Sequence, residues 1–407
     1  MRSMHPRLLA ILAVGTVLTA CTSGGSPRPP SSSPVTQSPS QSWSSTPMST
    51  APRSSSTPPF AGLPGMPAPL AANDVYAADR PNQVSAAIAN DPAYVYVPDT
   101  NSNDVYVIDQ HTMKVVSVFP GGREPQHVVP SYDLKTLYVT ADKPGSGSLT
   151  PIDPKTGKPG AKIPVDDAYN LYFTPNGRYA IAVQEFYTRL AFYDPHTWTL
   201  HDELTIPFCQ GIDHMDFTAD GTKLLASCEF ANEMVVVDVA THRLLRTVPL
   251  YPSPHGMPQD VKLSPDGKVF YVADMTADGV YLIDAATFRV IRFQATGKGA
   301  HGLYISRDSK SMFVTNRDEG SITVVNLATG LPRVKWTIPG GGSPDMGNVS
   351  ADGRVLWLSG RFNNVVYAIS TIDGHLIAKI PVGSGPHGLC VWPIPGRYSL
   401  GHTGIMR

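Results

Sequence analysis

Four cysteines in 407 residues leave no Cys-x-x-Cys pair and no Cys-x-x-Cys-His run, so a dithiol redox motif and covalently attached haem are excluded. A Gly-rich phosphate loop and a Ser nucleophile elbow are missing too, which removes the strongest sequence marks of nucleotide binding and acyl transfer. No basic run appears, and past residue 20 no apolar run is long enough to cross a membrane. Helical periodicity is absent as well. What is left is a chain of short strands, turns and one unusual beginning.

Residues 1–72 contain four arginines and no Asp, Glu or Lys. Arg2 and Arg7 precede the apolar run Leu8 to Ala20, which meets Cys21. That arrangement reads as a secretory leader over 1–20, too short to be a spanning helix. Leu18-Thr19-Ala20-Cys21 also resembles the lipobox of bacterial lipoproteins, in which the cysteine is acylated and becomes the new N-terminus. Ordinary cleavage leaving a free thiol is the alternative. Residues 21–72, mostly Ser, Pro, Thr and Gly, cannot bury enough surface to offset the entropy of ordering, so they read as a solvated tether. A tether of such length would hold the rest of the chain on the order of 40 Å from an anchor. The expected location is extracytoplasmic, at the cell membrane, with the membrane touched through the lipid alone.

The remaining chain carries 28 of the 32 basic residues and all 33 acidic ones, a net charge of −5. This balance argues against nucleic acid as a partner, because affinity for phosphate comes from clustered Lys and Arg.

Seven apolar segments ending in Asp, Asn or Ser recur every 41 to 46 residues. They are Val105 to Asp109, Leu149 to Asp153, Leu190 to Asp194, Met234 to Asp238, Val280 to Asp284, Ile322 to Asn326 and Val365 to Ser370. Each unit also holds two earlier strands around a turn such as Ser264-Pro265-Asp266-Gly267, where Pro presets φ, Asp bonds the backbone ahead and Gly accepts φ > 0. The same turn appears at Thr174 to Gly177, Thr218 to Gly221 and Ser350 to Gly353. Four strands per unit and seven units predict an all-β fold, a seven-bladed β-propeller of four-stranded antiparallel blades over residues 73–395. Residues 396–407 are left as a tail. The leftover strand around Leu389 to Trp392 most economically pairs into the first blade to close the ring, Val84 to Ala89 competes for that place, and sequence does not decide between them.

In a propeller the residues just before each blade's first strand converge on one mouth of the channel. By this count His127, Asn170, Asp213, His214, Gln259, Asp260, His301, Asp345 and His387 meet there, and the loops after the second strands add Glu185, Glu229, Arg317 and Arg361. Imidazoles and carboxylates facing one cavity can bind a transition metal or hold a polar ligand. His127, His214, His301 and His387 are the candidate metal ligands, beside a structural alternative in which a His-Gly step serves the turn. Cys209 and Cys228 fall on one face of a blade, and either form a disulfide or stay as two buried thiols. The aspartates that end the seven segments read as turn residues.

Phe313-Val314-Thr315-Asn316, Tyr271-Val272-Ala273-Asp274, Tyr96-Val97-Pro98-Asp99 and Tyr138-Val139-Thr140-Ala141 resemble the YVTN-type propeller repeat, and a YncE-like extracytoplasmic propeller is the nearest analogy. The resemblance implies the fold, and it reaches haem-binding domains, amine dehydrogenase subunits and lactonases. It also implies a DNA-binding role, against which the acidic balance stands. The expected function is a monomeric binding or interaction module that presents its channel mouth to a small polar ligand or an extracytoplasmic protein. The alternative is a metal- or cofactor-dependent hydrolase or oxidoreductase at the same mouth.

Overall fold

The computed structural model describes residues 61–251 and 255–407. The leader, Cys21 and most of the tether lie outside the described residues. Among the described residues there is no helix; seven antiparallel sheets are arranged as the blades of a propeller. Blade 4, with strands Ile212–Phe217, Lys223–Cys228, Glu233–Asp238 and Arg243–Pro249, shows the plan. Its inner three strands are almost wholly buried, while the outermost is mostly exposed. The seven repeated segments are the third strands of the blades.

The turns behave as their residues require. In Ser264 to Gly267 the Ser264 hydroxyl donates to Asp266 Oδ1 at 2.7 Å, Asp266 accepts from the Lys268 N–H, and Gly267 adopts φ +71°. Blades 2 and 6 build the same turn with Leu134 (φ +63°) and Ser309 (φ +57°) in the glycine position, which hid them from a search for Asp-Gly. The aspartates ending the third strands are turn residues: Asp109, Asp194 and Asp284 each accept from two backbone N–H groups just ahead.

Cys390–Trp392 pairs with Tyr94–Tyr96 and becomes the innermost strand of blade 1. Of the two candidate segments, the C-terminal one closes the ring. Val84 makes only a single bridge, to Gly396.

Two further segments cover the end of the channel that carries the first turns. From Leu63 onward the chain runs as a strap beneath the blades: the N–H groups of Leu63, Val75 and Asn82 donate to Asp220, Pro265 and Ala351, each at 2.8 Å. Packing therefore begins about ten residues before the propeller boundary read from composition. Residues 396–407 fold back as a hairpin, with Ser399 opposite Met406, and enter the channel. Tyr398, Leu400, Ile405 and Met406 are buried there. Gly401 (φ +100°) lies so close to the inner strand of blade 3 that a Cβ would stand 2.3 Å from the Leu171 carbonyl oxygen. Arg407, buried, closes the hairpin with a 2.8 Å ion pair to Asp216 and sits over the Tyr76 ring.

Candidate binding site at the channel mouth

The opposite end is the mouth. The convergent residues sit inside the first strands rather than before them. In blades 2, 4, 5, 6 and 7 the register with the second strand slips where these residues lie, between Pro125 and Val128, Ile212 and Met215, Pro258 and Val261, Ala300 and Leu303, and Pro344 and Gly347. Such irregularities free a residue from the ladder and re-aim its side chain, here toward the axis. Glycine helps at one point: a Cβ on Gly388 would meet the His127 ring at 2.1 Å, so only glycine lets that imidazole fold inward.

His127, His214, His301 and His387 come together as expected, all buried. A fifth histidine joins them. His402, at the tip of the 396–407 hairpin, is fully buried, with its ring centroid 4.7 Å from His214 and 5.2 Å from His127. Sequence reading left it in a tail. The signal was there in the apolar residues Tyr398, Leu400, Ile405 and Met406, clustered about the turn residues Gly401 to Gly404.

The rings fall into two groups in which one donor atom from each residue lies within 4.8 Å of the others: His127, His214 and His402, and His301, Asp345 and His387. The two groups abut, with His127 and His387 centroids 4.8 Å apart. His127 Nδ1 lies 2.9 Å from the Tyr169 carbonyl oxygen, which can only accept, so Nδ1 carries the proton and Nε2 the lone pair. His387 Nδ1 likewise lies 2.9 Å from Gln126 Oε1, while the Gln126 amide donates to Asp142. The Asn170 amide sits between His214 Nδ1 (3.2 Å) and His402 Nδ1 (3.0 Å). The Nε2 atoms of His127 and His402 have no hydrogen-bond partner. Burial holds all five rings below the ordinary imidazole range, His214 down to about 4. They are neutral at physiological pH.

The carboxylates divide by use. Asp260 is structural: it accepts the N–H of Val261 and, across to blade 6, of Leu303, with His402 Nε2 at 3.7 Å. Asp345 stands between His301 (3.1 Å), His387 (3.7 Å) and Arg317 (3.3 Å). Asp213 Oδ1 lies 2.9 Å from His214 Nε2 but off the line a hydrogen bond needs. Burial pushes the Asp213 carboxyl well up, countered by the Tyr169 hydroxyl.

Toward the surface, burial and the Asp213 charge raise Glu185 well above the usual range and Glu229 to about 7. Gln259 spends its amide on the Met257 carbonyl and also faces Glu229. Arg361 is turned aside to Thr100 and the Gly385 carbonyl, so it adds charge to the mouth without touching the histidines. Beside the rim a cavity of 540 Å³ is lined by Asp142, Asp167, Glu185, Phe186, Gln210 and Phe230, among others. Cys209 and Cys228 are bonded, Cα atoms 4.8 Å apart, and pin blade 4 next to this rim.

A family model described as a YNCE-like beta-propeller matches residues 256–396, which span blades 5 to 7 and the closing strand. The resemblance read from the motifs holds there. No curated protein matches the chain. Among solved structures, the Pseudomonas aeruginosa periplasmic gluconolactonase PpgL superposes with a TM-score of 0.61 at 19% identity, over 74% of this chain and 99% of that one. A functionally unknown protein of Desulfotomaculum acetoxidans gives 0.60 at 13%, over 74% and 98%. Dihydro-heme d1 dehydrogenase NirN gives 0.55 at 16%, over 80% and 78%. At such identities the likeness concerns the fold alone.

Proposed function

We propose that the protein is an extracytoplasmic binding module, lipid-anchored through Cys21, whose channel mouth takes up a small organic cation. One observation carries this reading: at the mouth, buried acceptors outnumber donors. Burial raises the carboxyls of Glu185, Glu229 and Asp213, the Asp213 charge adds to the rise at both glutamates, Asp260 and Asp345 add to it at Asp213, and burial pushes Asp142 and Asp167 to about 6 and 7. The nearest cations are engaged elsewhere, Arg317 with Asp345 and Arg361 with Thr100. A ligand that brings positive charge would relieve this repulsion. Phe186 and Phe230, 70% and 56% exposed, offer ring faces to the apolar part of such a ligand. The cavity is of small-molecule size.

Titration of the full chain with spermidine and with choline, followed by calorimetry at two salt concentrations, tests the reading. Saturable binding of at least one probe is expected, weakened at least tenfold by Glu185→Gln and by Phe230→Ala. Absence of saturable binding by either probe would overturn it. The anchor is tested apart: Cys21→Ser should move the protein from the membrane fraction to the soluble one, and unchanged fractionation would exclude lipidation.

A further inference from the structure

Behind the acidic rim, five of the chain's twelve histidines meet in one buried cluster. Neighbouring rings in it stand 4.7 to 6.5 Å apart, centroid to centroid, close enough for imidazoles of different blades to share one ion. Two of them also carry the support that metal-bound histidines have. His127 is oriented by a backbone carbonyl and His387 by a side-chain amide that is itself held by Asp142. A purely structural histidine would spend both ring nitrogens on the protein. His127 spends one: its Nε2 has no hydrogen-bond partner, and its ring centroid lies 5.5 Å from that of His214 and 5.2 Å from that of His402.

We propose that the cluster is a centre for two transition-metal ions side by side, distinct from the organic-cation pocket at the rim. The first position is formed by His127, His214 and His402, and its all-imidazole donor set suits copper or zinc. The second is formed by His301, His387 and Asp345, two imidazoles and a carboxylate, which suits a divalent first-row ion. Bonds of about 2.0–2.1 Å place tetrahedral donors roughly 3.3 Å apart. Donors now within 4.8 Å of one another would therefore draw together by up to about 1.5 Å on loading. His402 rides on the hairpin tip and is tied to blade 3 through its N–H, which donates to the Leu171 carbonyl at 2.9 Å, and through the Asn170 amide at its Nδ1, so closure would move ring and strand together. The ions would also supply the positive charge that Asp213 lacks, Asp345 having Arg317 at 3.3 Å.

The test counts metal in the full chain, purified without a histidine tag, stripped with chelator, loaded with copper or zinc and desalted. Two ions per chain are expected in the wild type, one in His402→Ala, one in His301→Ala and none in the double variant. Loss through misfolding is separated by the thermal melt of each stripped variant and by paramagnetic resonance of copper-loaded wild type, where coupling to imidazole nitrogen is expected. Fewer than two tightly held ions in the wild type, or two retained in either single variant, would overturn the proposal. So would a copper signal without nitrogen coupling. Spermidine or choline binding that survives while metal does not would leave the rim reading standing and remove this one alone.

Discussion

The two ends of one channel solve the burial of polar groups in opposite ways. At the turn end, donors and acceptors of the 396–407 hairpin and the blades meet in pairs. Arg407 meets Asp216, whose carboxylate also takes the N–H groups of Phe217 and Leu263, and the Asn348 amide donates to the Thr403 carbonyl. At the mouth, carboxylates and imidazoles of equal burial face one another, with most of their neighbours also acceptors. Buried polar groups cost free energy unless paired. The difference teaches which end is finished by the chain itself and which end is completed by something else.

The widest separation between the ends should come from removing one negative charge at each. Asp216→Asn leaves Arg407 buried without its counter-ion, a change of the kind that costs about 3–5 kcal/mol. Asp213→Asn removes a carboxyl that burial already drives toward its neutral form, so the cost in metal-free protein should stay under about 1 kcal/mol. Urea unfolding of both variants at pH 7 after chelator treatment reads the contrast directly. Equal losses would mean that the mouth is as fully paired as the plugged end.

A smaller effect is expected from wedging the hairpin off its seat. In Gly401→Ala the new Cβ would press on the Leu171 carbonyl and on Tyr172 Cα, both backbone, at a residue with φ +100°. Strain of this kind costs of order 1–3 kcal/mol. Hydrogen exchange should quicken at the amides of His402 and Ile405, while amides of the outer strands of blades 5 and 6 keep their rates. Uniform quickening through all blades would show that the hairpin is part of the global fold rather than a separable plug.

The blade plan was legible because it is local. Asp266-Gly267 and Ala273-Asp274 announce a turn and a strand end from their own chemistry, whereas the choice between two segments for the closing strand, taken by Cys390–Trp392, was not legible. The rim residues were legible for the same reason, since position within a repeat predicts position on the axis. Partnership was not legible. Asp213 and Asp260 look alike in sequence, yet Asp260 is spent on backbone N–H groups of two blades while Asp213 faces His214. The place of His402 depends on where a segment outside the repeat is laid down, which no periodicity encodes.

The finest test of the comparison is the pH dependence that the mouth imposes. Glu229 is pushed up to about 7 by burial first and then by Asp213, while Gln259, His214 and Arg317 act in the opposite direction. Its folded carboxyl therefore holds a proton that the unfolded chain, with an ordinary value of 4.5, releases more readily. The stability it contributes is complete below pH 4.5 and is lost as the pH rises through about 7. Glu229→Gln should match the metal-free wild type at pH 4.5 and exceed it at pH 8 by about 1 kcal/mol, the coupling to Asp213 spreading the cost over the pair. The five histidines slope the other way. Their folded values lie below 6.5, so their contribution is present above that pH and is lost as the pH falls toward the folded values. Urea midpoints across pH 4.5 to 8 separate the two slopes, because the substitution removes only the first. A cation bound at the mouth should abolish the advantage of Glu229→Gln at pH 8 or reverse it, and an advantage that persists unchanged with spermidine or metal present would show that the acidic mouth is not where the cation sits.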